Sequence, residues 1–425
     1  MNEGLGQHRR RRWAALAGKR DFRLLWIGSA TSELGSTITG VALPLLALHL
    51  TGSALAAGLL GTASSLTAWL AALPGGYLAD RYGSRGVMVT ADAVRATVLL
   101  VFTIGAVAGV MPTWAMVVGV VIAYAAAMAY QPASSKALKQ VTGESLGEAI
   151  AVNQARSYTA SIIGPPIGGI LLAVCRPLPF AVDTLTFLVS LGCALGIRTR
   201  LYPGATSVTT GRLFPVMGKG WSVLWHDRLL RDLTFYSTAM NFAVSTVLSI
   251  LVLGIGQQSH GSIAVGVGLS LSAAAGILGS LLAPAVLRWA RLRSLLFTIA
   301  LGRAVLVCAA AAIGNAIAVI LAMASIMLIT PILRATAARI QLERVPEDVL
   351  GRSVGAISLL GGALQPVAPM TAGALTTWIT AAHALLIPGL LCLIPAGLAW
   401  RSRALEQKPS NPTADTTTPN SPVLP

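Results

Sequence analysis

Glu33 stands about nine residues into an apolar run that opens near Leu24, roughly 14 Å along a helix at 1.5 Å per residue. A charge at the centre of a membrane helix costs roughly 2.5–3.5 kcal/mol on insertion scales, so it needs a partner or a task. Glu33 is the acid that the reading places near a midplane, and its candidate task is to bind and release a proton. Arg156 lies about seven residues into another run, with Asn153 on the same helical face and Gln154 beside it, and the three could hydrogen-bond a small molecule. Asp92 and Arg95, three residues apart, read as a local structural ion pair. Arg303 has Ala300 where such an acid would stand, so its charge must be met from another helix or by water, which makes it a further cavity candidate. Asn241 and Gln365 could offer neutral hydrogen bonds to a substrate. Each has a structural alternative: a permanent pair for Glu33, helix carbonyls or a lipid headgroup for Arg156, and helix–helix contacts for Asn241 and Gln365.

Other chemistries lack their residues. His8, His49, His226, His260 and His383 are scattered over termini and span edges, so no metal site is expected. Cys175, Cys193, Cys308 and Cys392 stand singly, without metal-type spacing, and read as packing residues. No HExxH, GxSxG or Walker phosphate loop occurs. The expectation is neither enzyme nor ATP-driven pump, with no cofactor, so the energy for any transport must come from a gradient.

The elements that must hold these residues follow from composition. With 55% hydrophobic and 11% charged residues, 425 residues cannot solvate soluble domains. Long apolar runs recur from about Leu24 to Trp400, each near the roughly 20 residues that a helix needs to cross a bilayer. Helices satisfy their own backbone in lipid, and the alternating ten-residue segments of a barrel are absent. The reading is an all-α membrane protein with twelve transmembrane helices. The fourth span is expected to end near 131 and the tenth near 338. The net charge of +16 could suggest nucleic acid, but its distribution explains it otherwise. Of 31 Lys and Arg, Arg176 falls outside, Arg95, Arg156 and Arg303 are embedded, and the other 27 fall on one side if the spans alternate from an inside amino terminus. A multi-pass inner (plasma) membrane protein with both termini cytoplasmic is expected, with anionic lipids and not nucleic acid as partner of the basic loops.

Segment by segment, residues 1–23 form a basic cytoplasmic start that includes Arg9-Arg10-Arg11-Arg12, and 24–197 a first six-helix bundle. Residues 198–231 form a polar cytoplasmic linker, 232–400 a second six-helix bundle, and 401–425 a disordered cytoplasmic tail rich in Pro, Thr, Ser and Asn. The halves echo each other in order: Gly52-Ser53 with Gly261-Ser262, Thr90 and Arg95 with Thr298 and Arg303, Leu146-Gly147 with Leu350-Gly351, and Pro165 and Gly169 with Pro369 and Gly373. Such an echo points to duplication around a central site, two pseudo-symmetric bundles of six.

Between the second and third spans stands Gly75-Gly76-Tyr77-Leu78-Ala79-Asp80-Arg81-Tyr82-Gly83-Ser84-Arg85. It resembles the loop signature of the major facilitator superfamily, matched by Gly76, Leu78, Asp80, Arg81, Gly83 and Arg85. The resemblance implies that Asp80 contacts the eleventh helix, here near Gly351, and latches the outward-facing state. The pseudo-equivalent turn 287–293 keeps basic residues without the acid, so a latch would be asymmetric. In the fifth span Gly164-Pro165-Pro166-Ile167-Gly168-Gly169 resembles the superfamily's antiporter motif, with Ala160 replacing a preceding family glycine. Asp21-Phe22-Arg23-Leu24-Leu25-Trp26, Val41-Ala42-Leu43-Pro44-Leu45 and Leu50-Thr51-Gly52-Ser53, together with Asp92, Arg95 and Asp183, are similar to the enterobactin-exporter and macrolide-efflux branch. Asp92, Arg95 and Asp183 are expected to be structural charges.

What the resemblance implies is a major facilitator fold whose first and fifth spans face each other, so that Arg156 becomes the counter-charge of Glu33. It also implies proton-coupled efflux of a small, amphipathic natural product or drug by alternating access, in a monomer. An importer or facilitator of the same fold, or a membrane sensor that binds without transporting, remains open at this stage.

Overall fold

The computed structural model describes residues 19–142, 146–199, 221–256, 261–289, 292–345 and 350–402. Ten long helices and two broken ones make twelve candidate spans. In the first half these are α1 (Arg20–Thr51), α2 (Ala54–Arg81), α3 (Ser84–Ala108), α4 (Thr113–Thr142), α5 (Leu146–Val174) and α6 (Leu178–Gly196). The second half holds α7 (Arg228–Gly256), α8 (Gly261–Trp289), α9 (Leu292–Ile313) and α10 (Ala316–Arg344). Its eleventh span is α11 (Leu350–Gly362) and α12 (Ala368–Trp378) around a 3-10 turn, Gln365–Val367, and its twelfth is α13 (Ala381–Leu391) with α14 (Leu393–Arg401).

Local chemistry sets the turns. Gly52, Gly109 and Gly314 close helices with φ of 63°, 67° and 70°, the left-handed region where a Cβ is unwelcome. Ser53 and Asn315 then start the next helices by accepting from the backbone N–H of Ala56 and Ala318. Helices α4 and α10 run on to Thr142 and Arg344, past the ends expected from hydropathy. In α4 the apolar stripe continues: Ala133, Ala137, Leu138 and Val141 are buried beneath a polar outer face.

Among the described residues the contacts repeat between halves. Helix α1 packs on α5 and α6, α2 on α4 and α3 on α6; α7 packs on α11–α12 and α13–α14, α8 on α10 and α9 on α13–α14. The halves meet in two matched crossings, α2 against α12 and α5 against α8. At each a glycine faces a proline carbonyl. A Cβ on Gly58 would lie 2.5 Å from the Pro369 oxygen, and one on Gly266 would lie 2.5 Å from the Pro165 oxygen. Close backbone approach of this kind is how helices associate where lipid supplies no hydrophobic drive. The opposite ends are tied in a matched way too. Asp21 accepts from the N–H groups of Arg198 and Thr199, Asp232 from the Ser402 hydroxyl, and Arg85 and Arg293 donate to the carbonyls of Leu195 and Trp400.

The core has the shape of an arch. One buried cluster joins both halves at the face carrying the short turns 52–53, 175–177 and 379–380, including Leu45, Leu60, Phe180, Ile250, Val265 and Ala372. Toward the basic face it divides, into a first-half cluster with Phe22, Met88 and Leu138 and a second-half cluster with Leu230, Tyr236 and Leu296. The halves are closed together at one face, and each keeps its own core at the other.

Candidate functional site

A cavity of about 260 Å3 opens within the first half, bordered by all six of its helices. Helix α1 contributes most. Ser29, Ser32, Ser36 and Thr39 follow one another at three- and four-residue steps along one side, while Glu33 and Thr37 lie toward α5. Leu43, Leu60, Leu99 and Phe187 supply an apolar wall, and Tyr124, Tyr130, Gln131, Ser134 and Asn153 a polar one.

On the α5 side, Arg156 Nη2 lies 3.0 Å from Glu33 Oε2, and the Ser157 hydroxyl donates to that same oxygen at 3.0 Å. The Glu33 side chain keeps 25% of its surface exposed and that of Arg156 only 9%. The remaining Arg156 atoms, Nε and Nη1, are buried without a hydrogen-bond partner. A solute in the cavity therefore meets the carboxylate of this pair more readily than the guanidinium. Glycines permit the approach of α5 to α1: a Cβ on Gly168 would lie 2.7 Å from the Ile38 carbonyl oxygen, and one on Gly164 would overlap the Thr37 side chain. Pro165 and Gly169, on the adjoining face, meet α8 instead, the latter at Ser262 and Ile263. The GPxxGG segment thus contacts α1 and the opposite half at once.

On the α3–α6 side, Arg95 is 8% exposed, donates to Ser32 at 3.2 Å and to Ser36 at 2.5 Å, and stacks 3.9 Å above the Phe187 ring centre. The expected Asp92–Arg95 pair is present at 3.9 Å. Asp92 is wholly buried; Ser190 donates to its Oδ2 at 2.6 Å, and its Oδ1 has no hydrogen-bond partner. Asp183 accepts from Thr39 at 2.5 Å and from Thr186 at 2.9 Å, and Gly35 on α1 leaves the space it occupies. Asp183 and Arg95 both border the cavity, so Glu33 is not its sole acid.

The cavity gathers Glu33, Arg156 and Asn153 but not the other substrate candidates. Gln154 is exposed. Asn241 donates to the Gly361 carbonyl at 3.0 Å, a contact between α7 and α11, and Gln365 is exposed in the break of the eleventh span. Arg303 is 1% exposed within the second half and donates to the Ile326 carbonyl and Thr330 hydroxyl, with no carboxylate within 4 Å among the described residues. In the loop signature Gly83 has φ 78°, Arg81 lies over the Tyr82 ring, Leu78 is exposed, and Arg85 ties α3 to the end of α6. The side chain of Asp80, Gly76 and the turn at Gly351 lie outside the described residues, as do most of the linker and the tail. Sequence reasoning missed Ser157 and the role of the α1 hydroxyls, although the spacing of Ser29, Ser32, Ser36 and Thr39 within an apolar run was a signal for the latter.

Comparison with known proteins agrees with the fold. The chain is 26% identical over 417 residues to the multidrug efflux pump Tap of Mycobacterium tuberculosis, covering 92% of this chain and 96% of that one. It is 26% identical over 377 residues to Tap of Mycolicibacterium fortuitum, covering 83% and 88%. Its fold superposes on the nucleoside transporter NupG with a TM-score of 0.72 at 12% identity, covering 91% of this chain and 99% of that one. It also superposes on a bacterial homologue of the human lysosomal transporter Spinster, crystallised inward-facing and unoccupied, with a TM-score of 0.70 at 12% identity and coverage of 90% and 96%. Both are likenesses at the level of fold alone. The Major Facilitator Superfamily profile matches residues 25–362, and the chain, a multi-pass membrane transporter and not an enzyme, belongs to that superfamily.

Proposed function

We propose that this transporter exports a small amphipathic natural product or drug in exchange for protons, with Glu33 as the proton carrier. The observation that carries the reading is the Glu33–Arg156 pair in the cavity wall. Charged, Glu33 holds Arg156 and so ties α1 to α5. Protonated, it loses most of that attraction, and α5 is freed about two to four turns before the point where Pro165 and Gly169 grip the opposite half. Proton uptake thereby bears on the crossing about which the halves must rock. One proton moving down 100 mV supplies roughly 2.3 kcal/mol, about a fortyfold concentration ratio, enough for ordinary efflux. The mixed wall of hydroxyls and leucines suits an amphipathic cargo, and the efflux pumps among the relatives support the direction.

The basic face is assigned to the cytoplasm by its Lys and Arg excess, with both termini inside and the protein a monomer in the plasma membrane. The short-turn face is then external, and the joined core there describes an inward-facing state. The test is Glu33→Gln: in inverted vesicles with an imposed pH gradient, ethidium uptake driven by protons should be abolished while folded protein stays in the membrane. Proton-driven uptake at the normal rate in that variant would remove Glu33 from the mechanism, and movement in the opposite sense would favour an importer.

A further inference from the structure

Helix α1 separates two charge networks. The Glu33–Arg156 pair is balanced, one carboxylate to one guanidinium. The network on the other side is not. Asp92 and Asp183 are 0% and 1% exposed, and among the described residues Arg95 is the cation that faces both. The other titratable groups facing them are Tyr124 and Tyr130 from α4 and Cys193 from α6, all neutral in ordinary conditions. Helix α1 adds hydroxyls only, Ser32 and Ser36 on Arg95 and Thr39 on Asp183. With both acids ionised the cluster carries a net negative charge inside the bilayer, and one carboxylate oxygen, Asp92 Oδ1, is buried with no hydrogen-bond donor. An uncompensated charge in such a place is resolved by neutralisation.

The second half shows that the acids are not there simply to keep the arginine. Arg303, the repeat equivalent of Arg95, is buried even more deeply, and is held by a carbonyl and a hydroxyl. One buried arginine is kept with no carboxylate within 4 Å among the described residues, and its counterpart has two acids. The difference falls in the half that contains the cavity, where Arg95 and Asp183 border the open volume.

We propose that Asp92 and Asp183 hold one exchangeable proton between them across Arg95, making this cluster a second proton site of the cavity beside Glu33. Interacting acids share the proton as a pair, so it belongs to the cluster and not to one residue. Ser29, Tyr130 and Ser190 form a run of hydroxyls from the cavity wall to Asp92, with separations of 3.3 and 3.4 Å, along which the proton can pass. Use of this proton in transport rests on the proton-coupled reading above; its presence does not.

The test is infrared spectroscopy on the full-length protein in lipid nanodiscs at neutral pH, with the aspartate carboxyls labelled with carbon-13. The wild type should show a protonated-acid carbonyl band that moves with the aspartate label and shifts in heavy water. Asp92→Asn and Asp183→Asn should each lose it, because one acid then faces one arginine, while Glu33→Gln should keep it. Absence of a label-sensitive acid band in the wild type overturns the proposal without any variant having to fold. So does a band that is unmoved by heavy water, which would mark a sealed proton, or one that survives both substitutions. Failure of Glu33→Gln to alter transport would sink the coupling role of Glu33 and leave this band, and hence the second site, standing.

Discussion

Closure of the face that carries the short turns, external on the proposed orientation, depends on backbone contacts that a single methyl group would spoil. In Gly266→Ala the new Cβ would lie 2.5 Å from the Pro165 oxygen, 2.9 Å from Pro166 Cα and 3.0 Å from the Pro165 carbonyl carbon. These are main-chain atoms of a helix, so no side chain can turn aside, and α5 and α8 must separate. Overpacking of this kind costs about 1–3 kcal/mol. Alanine also favours helix over glycine by about 1 kcal/mol, but α8 is helical whether the face is open or shut, so that gain cancels in the equilibrium between the two. What remains shifts the closed-to-open ratio by roughly five- to 150-fold at an RT of about 0.59 kcal/mol. The assay is labelling of Leu43→Cys, in the cavity wall, by a membrane-impermeant maleimide added outside, in a background with Cys175, Cys193, Cys308 and Cys392 replaced. Labelling should rise by that factor in Gly266→Ala and in the matched Gly58→Ala, whose Cβ would meet the Pro369 oxygen at 2.5 Å. Gly276→Ala on the same helix, where the nearest atom would be 3.6 Å away, should change nothing. Unchanged labelling in folded Gly266→Ala protein would refute the reasoning, because the crossing would then not set closure.

Three further substitutions have expected outcomes. Gly35→Ala would drive a Cβ into Asp183 and Thr186, and thermal stability in detergent should fall, the strain being about 1–3 kcal/mol; Gly40→Ala, with nothing within 4 Å, is its control on the same helix. Stability equal to the wild type in Gly35→Ala would show that α6 can move away freely. Arg303→Met should leave stability unchanged or raise it by up to about 1–4 kcal/mol, since Thr330 keeps its own bond to the Ile326 carbonyl; a marked loss would reveal an anion that the arginine serves. Asp80→Asn should slow turnover in vesicles without weakening ligand binding, and full turnover would reduce the loop signature to a spacer.

The class and the spans were legible because both rest on local composition: a run of twenty apolar residues has one stable form in lipid, whatever lies beside it. Turns were legible for the same reason at Gly83, where a positive φ is a property of one residue. Helix ends were less so, as α4 shows, because hydropathy averages over the faces of a helix while burial concerns one of them. The repeat was visible as Pro165 with Pro369, but its purpose was not, since the glycine that meets each proline lies on a different helix in the other half.

Of the candidate site, the sequence by itself determined that Glu33, Arg156, Arg95 and Arg303 sit in oil and therefore need partners. Tertiary structure decided which partners they found. Arg95 and Arg303 are equivalent in the repeat, yet one borders a cavity with Asp183 and the other is sealed against a carbonyl. Asn241 and Gln365 had the chemistry to line a cavity and are placed in a helix contact and an exposed break. The physical reason is that the price of a buried charge is set by its own residue type, whereas its compensation comes from groups on other helices, 23 positions away for Arg303 and 63 for Arg95, that only the packing brings alongside.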